Sequence, residues 1–132
     1  MIWLLSPDIL TRLLERADSE REAIVRLLDQ PGKRFLLTDA VFVVAVGQIT
    51  ADPLFDKESL CQSLVTLLGI DSLSGNISLL TRAVRLYART SMEFSAAYLA
   101  AQALESNLPI LSYDKALDRI PGLKREVPGK KG

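Results

Sequence analysis

The sequence predicts an α/β domain on a mostly parallel sheet, and three observations predict it. Short apolar runs alternate with amphipathic helical stretches from one end of the chain to the other, as strands joined by helical crossovers do, and as bundles and sandwiches do not. Several of these runs pass straight into Ser, Thr or Asp and then a helical stripe, the chemistry of a strand-to-helix junction. The 132 residues, 48% hydrophobic and 24% charged, suffice for one core and lack the composition of a disordered chain or a disulfide scaffold. One domain is expected over residues 1–127, with a flexible tail over 128–132.

Ile2 to Leu5 reads as the first strand. Ser6-Pro7 supplies an N-cap and a proline at the first helical position, where its missing N–H costs nothing, and Ile9, Leu10, Leu13 and Leu14 then share one helical stripe. Ser19-Glu20-Arg21-Glu22 has capping-box spacing, and Ala23, Ile24, Leu27 and Leu28 follow on one face until Pro31-Gly32 stops the helix. Arg34 to Leu37 is the second strand. From Thr38 to Val46, four valines with stiff side chains favour strand. A single strand from Arg34 to Val46 would nonetheless be over twice the usual ~5 to 6 residues, and Thr38 is a natural cap, so this segment is expected to be helical.

Asp56 to Leu68 is amphipathic through Leu60, Leu64, Leu67 and Leu68, and Gly69 to Leu73 is a short third strand. Asn76 to Arg89 repeats apolar residues at Leu80, Ala83, Val84 and Tyr87. Ser91 is expected to cap a helix running to about Glu105, whose Ala96, Ala97, Ala100, Ala101 and Ala103 allow close packing. Leu108 to Leu111 reads as a buried strand, Lys115 to Arg119 as a helical turn, and Leu123 to Val127 as a last strand after Pro121-Gly122.

Composition excludes several chemistries. The chain has no histidine, which removes Ser-His-Asp and Cys-His catalysis, imidazole zinc sites and histidine general bases, so any catalysis rests on carboxylates, hydroxyls, Lys or Arg. The lone Cys61 lies among Leu60, Leu64 and Leu68 at helical spacing, the setting of a buried, inert thiol. Sixteen basic residues balance sixteen acidic ones, so no global field attracts nucleic acid and any basic patch is local. Lys124, Arg125, Lys130 and Lys131 bias the tail positive, most simply as a solvated terminus. No apolar run approaches the ~20 residues of a membrane span, and Met1 to Leu5 is too short for a signal peptide, so a cytoplasmic protein is expected.

Ligands of open α/β sheets bind outside the carboxyl ends of the strands. Three strand ends lead into polar residues here: Ser6-Pro7-Asp8, Thr38-Asp39 and Ser112-Tyr113-Asp114. In a parallel sheet all three face one edge, where helix N-termini add partial positive charge. The same residue types also cap helices and close turns. Capping is the expected role of Thr38 and Asp39, while Asp114 suits either a cap or a site.

The block Leu108-Pro109-Ile110-Leu111-Ser112-Tyr113-Asp114-Lys115, with the Ala-rich helix opening Ser91-Met92-Glu93-Phe94-Ser95-Ala96, resembles the C-terminal half of the PIN-domain nucleases, the fold of VapC-like toxins. The likeness extends from the opening strand to Gly122 and is strongest from Glu93 to Pro121. It implies a three-layer α/β/α domain in which acids at strand and helix ends hold one or two Mg²⁺ or Mn²⁺ ions that activate water against an RNA phosphodiester. It also implies a homodimer and an antitoxin-like peptide or protein as partner, an amphipathic helix seated in a groove. Trp3, Phe55 and Tyr98 could line such a surface or belong to the core.

Carried across residue by residue, the family pattern thins. Its leading acid is Ser6 here and its following Asn is Asp8; its helix Glu falls at about Val44; its paired acids become Glu93 and Ala96; only Ser112 and Asp114 fit unchanged. The metal and catalytic set implied is therefore Asp8, Glu93 and Asp114, supported by Ser6 and Ser112. Mg²⁺ keeps several waters and can be held by one or two carboxylates with a substrate phosphate, whereas a two-metal clamp needs bridging acids that are missing. Removing like charges from a crowded carboxylate cluster relieves repulsion, and Val44 and Ala96 read as apolar filling. The expected function is a PIN-like interaction module of toxin–antitoxin ancestry, for nucleic acid or protein, with weak or lost nuclease activity and no required metal. The alternative is an active Mg²⁺- or Mn²⁺-dependent endoribonuclease using the reduced carboxylate set.

Overall fold

Strands of only two or three residues pair in parallel and fix where the helices begin. In the computed structural model, which describes residues 1–15 and 18–129, β1 (Ile2–Leu4), β2 (Arg34–Leu36) and β3 (Leu73–Ser74) form one parallel sheet in the order β1-β2-β3. Trp3 lies opposite Phe35, and Phe35 opposite Leu73; Leu4, Leu36 and Ser74 occupy the next row. Side chains alternate along a strand, so Phe35, Leu73 and the flanking Leu5 and Leu37 share the face that packs into the core and are buried. Ile2 and Leu4 point the other way and are exposed. Trp3 stacks on Phe35 with ring centroids 5.7 Å apart, and the Lys33 ammonium sits 5.5 Å above the Trp3 ring. A second parallel ladder pairs β4 (Ile110–Leu111) with β5 (Arg125–Glu126), so the pairing divides into ladders of three and two strands.

Helices fill every connection but the last, which holds the 3₁₀ turn Lys115–Arg119. Between β1 and β2 lie α1 (Pro7–Glu15) and α2 (Ser19–Leu28); between β2 and β3, α3 (Asp39–Thr50) and α4 (Lys57–Leu68); between β3 and β4, α5 (Ile77–Arg89) and α6 (Phe94–Ser106). The valine-rich segment is helical as expected. Thr38 caps α3 by accepting the Val41 N–H at 3.3 Å, and Phe42, Ala45, Val46 and Ile49 recur at helical spacing as its buried face. Alanines at 97, 100 and 101 are fully buried in α6, where their small side chains bring the backbone close to its neighbours. Phe42, Tyr87 and Phe94 join α3, α5 and α6 in one aromatic cluster with centroids 5.5 to 5.7 Å apart. Cys61 is buried, and burial pushes its thiol pKa up.

Several local expectations change. The cap of α2 is Asp18, which accepts the Arg21 N–H at 3.2 Å, so Ser19 is already helical. α6 starts at Phe94 with Glu93 as N-cap residue and no side-chain cap bond, in place of a Ser91 cap. The third strand is Leu73–Ser74 rather than 69–73. The strand expected to be buried from Leu108 is reduced to Ile110–Leu111, and Leu111 is 69% exposed because it faces away from the core that holds Ile110. The last strand is only Arg125–Glu126. Lys130, Lys131 and the end of the expected flexible tail, residues 130–132, lie outside the described residues.

Candidate functional site

Each candidate acid sits at the start of a helix or turn; Asp8 and Asp114 lie just past strand ends and bond through their carboxylates, whereas Glu93 follows α5 and makes no side-chain cap bond. Asp8, in the first turn of α1, accepts from the Ser6 hydroxyl, and its Oδ2 lies 3.0 Å from an Arg12 guanidinium nitrogen one turn along. Arg12 also bonds Glu20, tying α1 to α2. Asp114 caps the 3₁₀ turn by accepting the Ala116 N–H at 3.0 Å, while its own N–H donates to the Ser112 hydroxyl at 3.0 Å. Glu93 is exposed at the N-terminus of α6, where its carbonyl accepts the Ala97 N–H.

A second guanidinium stands at the β4 end. Arg125, on β5, donates to the Ser112 carbonyl at 3.0 Å and grips both carboxylate oxygens of Asp118 at 2.9 Å, with only 12% of its side chain exposed. The bidentate bond to Asp118 raises the Arg125 pKa above its ordinary value, and the nearby Asp114 charge adds to this. The same bond lowers the pKa of Asp118.

The fit to a divalent cation can be read from this donor set. Mg²⁺ and Mn²⁺ want carboxylate oxygens converging on one point, without a competing cation beside them. Among the described residues no group of three or more His, Cys, Asp or Glu is arranged to hold a metal ion, so Asp8, Glu93 and Asp114 do not gather into one. Val44 is 47% exposed and does not fill a closed centre; Ala96 is partly buried against the core. The neighbouring Val43 lines a cleft of about 580 Å³ with Gly47, Tyr87, Glu93 and Phe94, so α3 and the start of α6 do face each other there, with Glu93 as the only carboxylate in the lining.

The third strand end gives a cluster that the sequence did not reveal. Asp39, the first residue of α3, accepts from the Asn76 amide at 3.2 and 3.3 Å and from the Tyr98 hydroxyl. Burial, followed by the bond to Asp39, pushes the Tyr98 phenol up to about 12. Asp39 thus fastens the β3–α5 junction and α6 to the start of α3. Asn76 is read from the sequence only as the start of the α5 stretch, and nothing in the spacing points to Tyr98. Trp3 is partly exposed, whereas Phe55 and Tyr98 are partly buried against the core.

With this geometry in view, comparison with known proteins adds little. No family model matches the chain, and no curated protein matches it. Among solved structures, the chain is similar to one in the VapBC2 assembly from Rickettsia felis bound to a DNA fragment from their promoter, with 17% identity over 96% of this chain and 98% of that one and a TM-score of 0.42. At that score the likeness carries no argument, and the α/β fold of parallel strands and helices stands on the strand pairing described above. Among the described residues no helix is long and apolar enough to cross a membrane.

Proposed function

We propose that this chain is a PIN-like domain of toxin–antitoxin ancestry in which the nuclease centre has been given up and the fold serves as an interaction module. One observation supports this reading above the others: a guanidinium lies near two of the three carboxylates that the resemblance assigns to a metal. Arg12 is bonded to Asp8, and Arg125 occupies the end of β4 beside Asp114. A nearby guanidinium offsets a carboxylate's charge and disfavours a metal ion beside it, and Asp114 already accepts the Ala116 N–H, so the residues present do not fit the metal that the resemblance implies. The partners suited to such a module are a nucleic acid or an antitoxin-like peptide, and the module can act as a homodimer.

The test is a cleavage assay on single-stranded and structured RNA in Mn²⁺ and in Mg²⁺. The expected result is no cleavage above a metal-free control. Robust metal-dependent cleavage that disappears in Asp114→Asn would overturn the proposal and reinstate the reduced carboxylate set.

A further inference from the structure

The strongest unassigned feature is the outer face of α5. Its buried face uses Leu80, Ala83, Val84, Leu86 and Tyr87, which leaves Arg82, Arg85 and Arg89 on the other side, all exposed. At 100° per residue these three fall within an arc of about 60°, and at 1.5 Å per residue they span about 10.5 Å of the helix axis. They line an open cleft of about 710 Å³ together with Ser78, Thr81, Ala88 and Glu105, the Thr81 hydroxyl donating to the Ile77 carbonyl at 2.7 Å. Arg82 has a loose partner in Glu105 of α6 at 3.9 Å. Among the described residues neither Arg85 nor Arg89 has a carboxylate within ion-pair distance, whereas Arg12, Arg26 and Arg125 all do. In a chain with no net charge, this is a concentrated and largely uncompensated positive stripe.

We infer that the Arg82–Arg85–Arg89 face of α5 is a docking surface for the phosphate backbone of duplex nucleic acid. Charge complementarity selects a polyanion, and a row of guanidiniums along a helix, with the Ser78 hydroxyl beside it, is the donor set that contacts successive phosphates. The lining has no aromatic side chain, so it lacks the stacking platform of a single-strand groove; its contacts are with backbone, which a duplex presents on its outer surface. Glu105 is the one unfavourable charge in the cleft and sets a limit on affinity. This inference rests on the reading of the domain as an interaction module, but it uses none of Asp8, Glu93 or Asp114.

The experiment is fluorescence anisotropy of a labelled DNA duplex titrated with the full chain in EDTA, over a range of salt concentrations. Three phosphate contacts predict a slope of log K against log salt of about −2.7, or roughly 40-fold weaker binding between about 50 and 200 mM salt. Each single Arg→Ala change at 82, 85 or 89 should flatten the slope by about 0.9, and the triple variant should lose binding with circular dichroism and melting unchanged. Glu105→Gln should tighten binding. The inference is overturned by undetectable duplex binding at low salt, by a slope that the triple variant leaves intact, by tighter binding of the matching single strand, or by equal competition from poly-glutamate, which would mark an acidic protein as the occupant. EDTA removes any nuclease reaction, so failure here is separate from failure of the proposed loss of activity.

Discussion

Asp39 shows how a single carboxylate can be read correctly by position and incompletely by role. A cap at the start of α3 was legible from Thr38-Asp39 because Ser, Thr and Asp satisfy the free N–H groups of a first helical turn, and Thr38 does so. Asp39 instead reaches across the molecule to Asn76 and Tyr98, contacts that depend on how α5 and α6 pack and so leave no trace in local spacing. Tyr98→Phe should cost about 1.5–3 kcal/mol, the usual worth of a hydrogen bond to a charged group, as measured by chemical denaturation. Its pH dependence has a definite sign. The folded-state phenol is raised from 10.0 to about 12, so its contribution is fully present below pH 10 and is lost as the pH rises toward 12. The stability difference between the native chain and Tyr98→Phe should therefore shrink across that window, and a difference that stays constant there would show that the Tyr98–Asp39 bond does not govern the titration.

At the scale of elements, alternation predicted the six α-helices of the described residues, including the valine-rich α3, where the usual length of a strand outweighed side-chain propensity, although the expected caps of α2 and α6 were misplaced. Strand ends were less legible. A strand of two residues carries no period, so its limits are set by pairing with its neighbour; β3, β4 and β5 are each this short. The turn from β3 into α5 shows what holds such a strand in register. Gly75 has φ of 138°, and a Cβ placed there would lie 2.3 Å from the Leu37 carbonyl oxygen, so the backbones of two neighbouring strands approach as closely as only glycine permits. Gly75→Ala is expected to lose more than the ~1–3 kcal/mol of backbone strain alone, because β3 must also move away from Leu37. Gly32→Ala is the matched control: its φ is also positive, at 77°, but a Cβ there meets nothing within 4 Å, so its loss should be the smaller of the two in the same thermal-melt series. Equal losses would show that strand proximity is not what Gly75 protects.

Across the whole molecule, the order of the polar strand ends was readable and the fate of their charges was not. Parallel pairing of β1 with β2 carries Ser6 and Thr38 to one edge of their sheet, while Ser112 ends β4 in the separate ladder with β5, so the single shared edge expected for all three is divided between two ladders. The partner of Asp8 was within reach of the sequence, since Arg12 stands one turn along the same helix. The Arg125 guanidinium arrives from a different strand and could not be read from the segment that holds Asp114, because a short parallel pairing sets its position. Arg12 pairs with Asp8 and Arg125 with Asp118, and on the proposed reading these ion pairs stand in place of a metal. The most direct measurement of this is an electron paramagnetic resonance titration of Mn²⁺ into the purified chain, which separates bound from free ion without reference to any reaction. The account predicts the signal of free aqueous Mn²⁺ throughout; a stoichiometric site that vanishes in Asp114→Asn would contradict it.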